Sequence, residues 1–170
     1  MARNEFMMPG DLAYVLTLAT FPGMIPEESR PLRAFLAKHG AQFDAIRFRV
    51  MLGDGMAAED GDDPAVAAVV ATWGTLRPDL VAFKYPNEAT IIEAKQAFGS
   101  DAVWQLQAYR DAYRRAFPDH RIRLVGVGEF ANDTARGVAR SAGVALYVYA
   151  FPPGPPDVTA QPSEDSSDVT

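Results

Sequence analysis

Residues 77–96, RPDLVAFKYPNEATIIEAKQ, place Asp79 after a proline at the start of one apolar run, and Glu93 and Lys95 inside the next. Short apolar runs that are bounded by turn residues are typical of buried strands. The segments PDLVAFK and ATIIEAK therefore predict two strands. The turn YPNE between them contains Pro86 and Asn87, and a connection this short predicts an antiparallel pair.

The charged residues of this hairpin occupy positions that can bring them together. Positions two apart share a face of a strand, so Glu93 and Lys95 project to the same side as Ile91. Asp79 lies at the start of the preceding strand, where the hairpin brings it near Glu93. Two interpretations remain open: a salt bridge between charges at strand ends, or two carboxylates that hold a divalent cation beside a lysine.

The second interpretation has a definite chemistry. Magnesium prefers oxygen ligands, keeps several waters and commonly uses only one or two carboxylates. A lysine beside the metal can orient a water and stabilise charge on an attacked phosphate. Asp79, Glu93 and Lys95 together therefore suit phosphodiester hydrolysis with Mg²⁺ or Mn²⁺ as cofactor.

The remaining segments predict an α/β domain with a mixed central sheet flanked by helices. Strand–helix–strand units in the second half predict parallel neighbours beside the antiparallel hairpin. Ser100 is the predicted N-cap of the longest helix. The other predicted elements are helices at 26–40, 100–118 and 132–143, and strands at 43–52, 121–130 and 144–151.

The sequence divides into three predicted regions: an N-terminal extension (1–25), the domain (26–151) and a Pro/Ser-rich acidic tail (152–170). Inside the domain, residues 53–64 predict a solvated acidic loop, because the spacing of the acids does not match a calcium-binding loop. Residues 65–75 fit a short helix or a strand equally well.

Charge is distributed unevenly along the 170 residues. The net charge is −6, but nine acids lie in the loop and the tail, and these two segments contain no basic residue, so the rest of the chain is net basic. Five arginines are close in sequence and form either a local nucleic-acid-binding patch or a solvated helix face. They are Arg110, Arg114, Arg115, Arg121 and Arg123.

Composition also indicates where the protein acts. The chain has no cysteine, which excludes disulfides and thiolate metal sites and suits a reducing compartment. The apolar stretch at 12–21 is about half as long as a bilayer-spanning helix, and no signal-peptide pattern surrounds it. We therefore expect a cytoplasmic protein that does not contact a membrane.

Two motifs in the sequence resemble those of a known family. RPD followed by IIEAK is similar to the signature of the PD-(D/E)XK nuclease superfamily, which has the restriction-endonuclease-like fold. The resemblance implies that Asp79 and Glu93 are metal ligands assisted by the backbone carbonyl of Ala94. It implies that Lys95 is the catalytic lysine.

The helix at 100–118 contributes a second part of the resemblance. Its QLQAY resembles the additional Gln-Leu-x-x-Tyr motif of the recombination-exonuclease-type members, which implies that Gln105 and Tyr109 line the site or touch DNA. The family also places an acid or a histidine on the first helix. Glu28, Glu27 and His39 are the candidates here, and Glu28 is our choice.

Several residues have a structural interpretation beside the functional one. Tyr109 is a core aromatic or a site residue, and Trp104 is expected to pack in the interior. Arg47 and Arg49 are either phosphate contacts or charges that protect an edge strand.

Two functions follow. The first is a metal-dependent DNA nuclease. The alternative is a nuclease-fold structural component of a larger assembly, such as a phage virion connector or tail, or a homo-oligomer, with contacts through the N-terminal extension and the C-terminal tail and with the site idle. The protein would then be located in the virion. A small-molecule enzyme lacks support, because the sequence has no Gly-rich phosphate loop or Ser-His pairing.

Overall fold

A computed structural model describes residues 4–53 and 75–152 of the chain. The predicted loop at 53–64, apart from residue 53, lies outside these residues, as does the segment at 65–75, apart from residue 75. Beyond residue 152, the predicted tail is also outside them. Within the described part, no helix is long and apolar enough to cross a membrane.

The centre of the fold is a six-stranded mixed sheet whose strands lie in chain order, β1 to β6. Strands β1 to β4 pair antiparallel, whereas β4, β5 and β6 pair parallel. This confirms the predicted mixed α/β architecture. The strands are β1 (Glu5–Met7), β2 (Ala45–Phe48), β3 (Leu80–Lys84), β4 (Glu88–Ala97), β5 (Arg121–Phe130) and β6 (Val144–Val148).

Two helices cover each face of the sheet. Helices α1 and α2 share a core cluster with one face, and α3 and α4 share a second cluster with the other. The α2 helix begins at Pro26, has two glutamates in its first turn and ends on Lys38 and His39, in keeping with the helix dipole. The helices are α1 (Leu12–Thr17), α2 (Pro26–His39), α3 (Ser100–Ala116) and α4 (Asp133–Ser141).

The β3–β4 hairpin forms as the sequence predicts. Leu80 pairs with Ile92 and Lys84 with Glu88 in antiparallel register. Ile92 and Ala94 pack in the cluster beneath α2, while Ile91 packs in the cluster beneath α3. The two apolar sets alternate because successive strand residues face opposite sides of the sheet.

Residues 4–25, which we expected to extend outside the domain, belong to the same sheet and core. Strand β1 pairs with β2, and Phe6, Val15 and Phe21 are at most 1% exposed within the cluster beneath α2. A three-residue strand is too short to show its periodicity, so the sequence contains little signal for it.

The predicted cap of α3 is wrong. Its N-cap is Gly99 rather than Ser100, and no side chain caps the helix. By contrast, Asn132 caps α4 by accepting a hydrogen bond from the Ala135 N–H at 2.8 Å. Helix α3 begins at Ser100 itself, one residue too early for the Ser100 side chain to act as its N-cap.

Candidate active site

The carboxylates of the hairpin converge at one end of the sheet. Because Leu80 pairs with Ile92, Asp79, one residue before β3, lies opposite Glu93 on β4. Both side chains are nearly inaccessible: Asp79 is 3% exposed and Glu93 is 2% exposed. Burying two acids side by side is costly unless partners compensate.

Hydrogen bonds tie the cluster to the backbone and to α2. The Ala94 N–H donates to Asp79 Oδ2 at 2.9 Å. Lys95 Nζ donates to Glu93 Oε1 at 2.9 Å and to Glu28 Oε1 at 3.2 Å. The structure therefore brings Asp79, Glu93, Ala94, Lys95 and Glu28 together. Ala94 contacts Asp79 through its N–H, whereas the resemblance assigns a role to its carbonyl.

Burial governs the electrostatics of the pair. Burial, together with repulsion from Asp79, raises the pKa of Glu93 from an ordinary value of 4.5 to about 7. Burial likewise raises the pKa of Asp79, against the hydrogen bond from Ala94 and the nearby Lys95 charge. These directions mean that a positive charge between the two carboxylates would be stabilising.

Lys95 remains charged in this environment. Burial alone would lower the pKa of its ammonium, but the carboxylates of Glu93, Asp79 and Glu28 outweigh that effect and raise it. The lysine is therefore suited to donating hydrogen bonds and holding positive charge. A neutral amine acting as a base does not fit this setting.

One carboxylate oxygen of Glu93 lacks a hydrogen-bond partner among the described residues. This oxygen, Oε2, is buried, and buried carboxylate oxygens are normally satisfied. No group of three or more His, Cys, Asp or Glu residues within 4–53 and 75–152 is arranged to hold a metal. A hard cation such as Mg²⁺ does not need one, because it uses one or two carboxylates with backbone and water oxygens. The donors therefore fit such an ion.

Arg49 lies beside the carboxylates in a strained backbone conformation. Its φ is 54°, a left-handed region that is rare for residues with a side chain. Its Nη1 lies 3.5 Å from Asp79 Oδ1 and donates to the Arg77 carbonyl at 3.5 Å. A Cβ on Gly23 would come within 3.0–3.3 Å of the Arg49 side chain, so this glycine makes room for it.

The structure separates Arg47 from Arg49, which the sequence left equivalent. Arg47 pairs with Glu5 at 3.0 Å on β1. Because β1 adjoins β2, β2 is not an edge strand, and the edge-protection interpretation is wrong. No sequence signal marks Arg49 as different, since its position depends on a backbone turn after β2 and on Gly23.

The second motif is only partly assembled at the site. Tyr109 is 6% exposed. Burial raises the pKa of its hydroxyl, and so do the nearby carboxylates of Glu93 and Asp79. The side chain of Gln105 is exposed and forms no hydrogen bond with the described residues. Trp104, which we expected to pack inside, is 65% exposed; that expectation is wrong.

No family model, curated protein or solved structure matches this chain. A function for the protein therefore has to be inferred from the geometry of the carboxylate cluster.

Proposed function

We propose that the protein is a metal-dependent DNA nuclease with a restriction-endonuclease-like fold of the PD-(D/E)XK type. The observation that carries the proposal is the buried Asp79–Glu93 pair, which holds Lys95 on one side and leaves Glu93 Oε2 without a partner. A purely structural salt bridge needs one acid for one base. Here three acids share two cations, Lys95 and the more distant Arg49, and two of the acids are nearly inaccessible to water.

The cofactor in this proposal is Mg²⁺ or Mn²⁺, held by Asp79, Glu93 and the backbone carbonyl of Ala94. When bound, such an ion lowers the pKa of a water and neutralises charge on a phosphate. The protein supplies the carboxylates in a rigid hairpin, and the Ala94 N–H fixes the Asp79 side chain at 2.9 Å. Glu28 anchors Lys95 from α2.

Lys95 is the residue that contacts the attacking water or the phosphate oxygen. An ammonium has three N–H donors, and Glu93 and Glu28 each accept one. The third is available to an oxygen that approaches the carboxylate pair. The high pKa of Lys95 keeps that donor charged, and a fixed positive charge stabilises the developing phosphorane.

Arg49 supplies a second cation, whose Nη1 lies 3.5 Å from Asp79 Oδ1. Its side chain is 35% exposed, and the same Nη1 of its guanidinium also lies 3.5 Å from the Arg77 carbonyl. Because these contacts are long, several N–H groups of the guanidinium are available to hydrogen-bond a phosphate. Guanidinium groups bind phosphate in bidentate geometry. We assign Arg49 to positioning the phosphate.

The proposal is tested by incubating purified protein with linear, branched and single-stranded DNA in Mg²⁺, in Mn²⁺ and in EDTA. We expect cleavage with either metal, none in EDTA, and a loss of at least about 100-fold in Lys95→Ala. Lys84→Ala is the matched control, because Lys84 is an exposed lysine of the same hairpin; it should cleave like the wild type. Absence of cleavage of every substrate by the folded wild type would refute the proposal.

One observation favours the assembly alternative. Met7, Tyr14 and Ile25 are 49–58% exposed, and all three lie in the N-terminal part of the chain. Contiguous patches of exposed apolar side chains are typical of protein contacts, whereas single exposed ones are ordinary. Sizing by light scattering distinguishes the two functions: a monomer across the micromolar range disfavours the assembly, whereas a defined oligomer that dissociates in Tyr14→Ser supports it.

A further inference from the structure

A cavity of about 450 Å³ lies at the end of the sheet away from the carboxylate pair. It forms where β5 extends past β6, because the pairing of these strands begins only at Leu124 and Val144. Ile122 and Arg123, the preceding residues of β5, therefore have no strand on that side among the described residues. The second half of α3 and the turn after α2 complete the walls.

Three arginines line this cavity: Arg110, Arg114 and Arg123. No acidic residue of the described chain lines it. Arg110 pairs with the exposed Asp111 beside it at 3.0 Å, while Arg114 and Arg123 have no recorded ion pair with described residues. The three guanidinium groups give the lining of this cavity a concentration of positive charge that an anion would neutralise.

Other cavity groups complement the arginines. Thr90, which is 8% exposed, and Gln42 add a hydroxyl and an amide to the lining. Thr90 pairs in register with Arg123 on the neighbouring strand. Glu88, the acid nearest in sequence on β4, is already engaged by Arg121 at 3.0 Å. Among otherwise largely apolar walls, the arginines, Thr90 and Gln42 supply positive charge and several hydrogen-bond donors.

We propose that this cavity binds a phosphate group. Guanidinium groups match phosphate oxygens in number and geometry better than they match a single-charge anion. Two sources share this chemistry: the backbone of a nucleic acid, and free phosphate or a nucleotide.

The proposed function favours the nucleic-acid backbone as the source, and this choice rests on that function. Thr90 and Glu93 are three residues apart on β4, so their side chains project to opposite faces of the sheet. A nucleic acid repeats its phosphates along each strand. One that follows the surface around the sheet can therefore present one phosphate to the cavity and another to Asp79 and Glu93.

Fluorescence anisotropy with a labelled single strand and the matching duplex, both in EDTA, tests the cavity without cleavage. We expect the double variant Arg114→Gln/Arg123→Gln to bind at least about ten-fold more weakly than the wild type. The slope of log affinity against log salt concentration should become shallower by about two, one for each lost phosphate contact. Arg115→Gln/Arg140→Gln removes two exposed arginines outside the cavity and should change affinity less than about three-fold.

A second arm uses inorganic phosphate in thermal melts, at ionic strength matched with chloride. Stabilisation of the wild type but not of the cavity variant, with unchanged DNA affinity, would support the phosphate site and overturn DNA as its source. Equal loss of DNA affinity in both double variants would show a general charge effect and overturn the cavity assignment. Unchanged binding of both DNA and inorganic phosphate by the cavity variant would also overturn the cavity assignment.

Failure of this inference is distinguishable from failure of the proposed function. A protein that cleaves DNA, and whose cavity variant binds normally, contradicts only the cavity. A protein that binds DNA through the cavity but never cleaves it contradicts only the nuclease. Far-UV circular dichroism checks that the variants, which alter exposed or half-exposed side chains, retain the fold.

Discussion

Replacing Glu93 by glutamine should stabilise the metal-free protein while abolishing its proposed activity. Glu93 is 2% exposed and its pKa is about 7 rather than 4.5, because of burial and then repulsion from Asp79. One pKa unit corresponds to about 1.4 kcal/mol, so this shift disfavours the ionised folded protein by about 3 kcal/mol. Glutamine is close in shape, keeps an oxygen that accepts from Lys95, and removes the charge.

The sign of the pH dependence follows from linkage. The folded protein holds the Glu93 proton more tightly than the unfolded chain does, so stability falls as the pH rises from about 4.5 to about 7 and stays low above it. Glu93→Gln has no carboxyl group to ionise at this position, so its stability does not undergo this fall with pH. At pH 8 we therefore expect it to gain about 1 to 3 kcal/mol over the wild type, and at pH 4.5 much less.

Urea denaturation in EDTA at pH 4.5, 6 and 8, followed by circular dichroism, measures the difference. Glu88→Gln is the control, because Glu88 is on the same strand but pairs with exposed Arg121 at the other end. It should change stability by less than about 1 kcal/mol at every pH. A Glu93→Gln variant that is less stable than the wild type at pH 8 would refute the reasoning that Glu93 is a destabilising buried charge.

Two further predictions concern Arg49. Arg49→Gly relieves the cost of the positive φ, about 1 kcal/mol or more. Urea denaturation should therefore show stability equal to or above that of the wild type, while the rate of DNA cleavage falls at least about ten-fold. Unchanged cleavage would show that Arg49 does not act at the site. Gly23→Ala brings a Cβ against the Arg49 side chain at a φ of 71°, so it should lower both stability, by about 1 to 2 kcal/mol, and cleavage. Equal values for Gly23→Ala and wild type would show that the space left by Gly23 does not position Arg49.

The elements with strong local patterns were predictable from the sequence. Strand β5 has the predicted bounds, and the β3–β4 hairpin has the predicted pairing. The approach of Asp79 to Glu93 followed from a short turn and a period of two. These features depend on neighbours in sequence, which a pattern can represent.

Features that depend on distant neighbours were not predictable. Strand β1 exists because β2 offers a free side, and the conformation of Arg49 depends on Gly23, which is 26 positions earlier in the chain. The exposure of Trp104 depends on how α3 is rotated against the sheet, and an aromatic residue alone does not determine that. The arginine cavity likewise requires β5 to extend beyond β6.

The central claim is that Asp79 and Glu93 form a metal site rather than a salt bridge with Lys95. Titration calorimetry with Mn²⁺ at pH 8 measures this directly, because it needs no substrate. The wild type and Lys84→Ala should each bind about one ion per chain, and Asp79→Asn should bind none at millimolar metal. Equal binding by Asp79→Asn and wild type, or no binding by folded wild type, would contradict the claim.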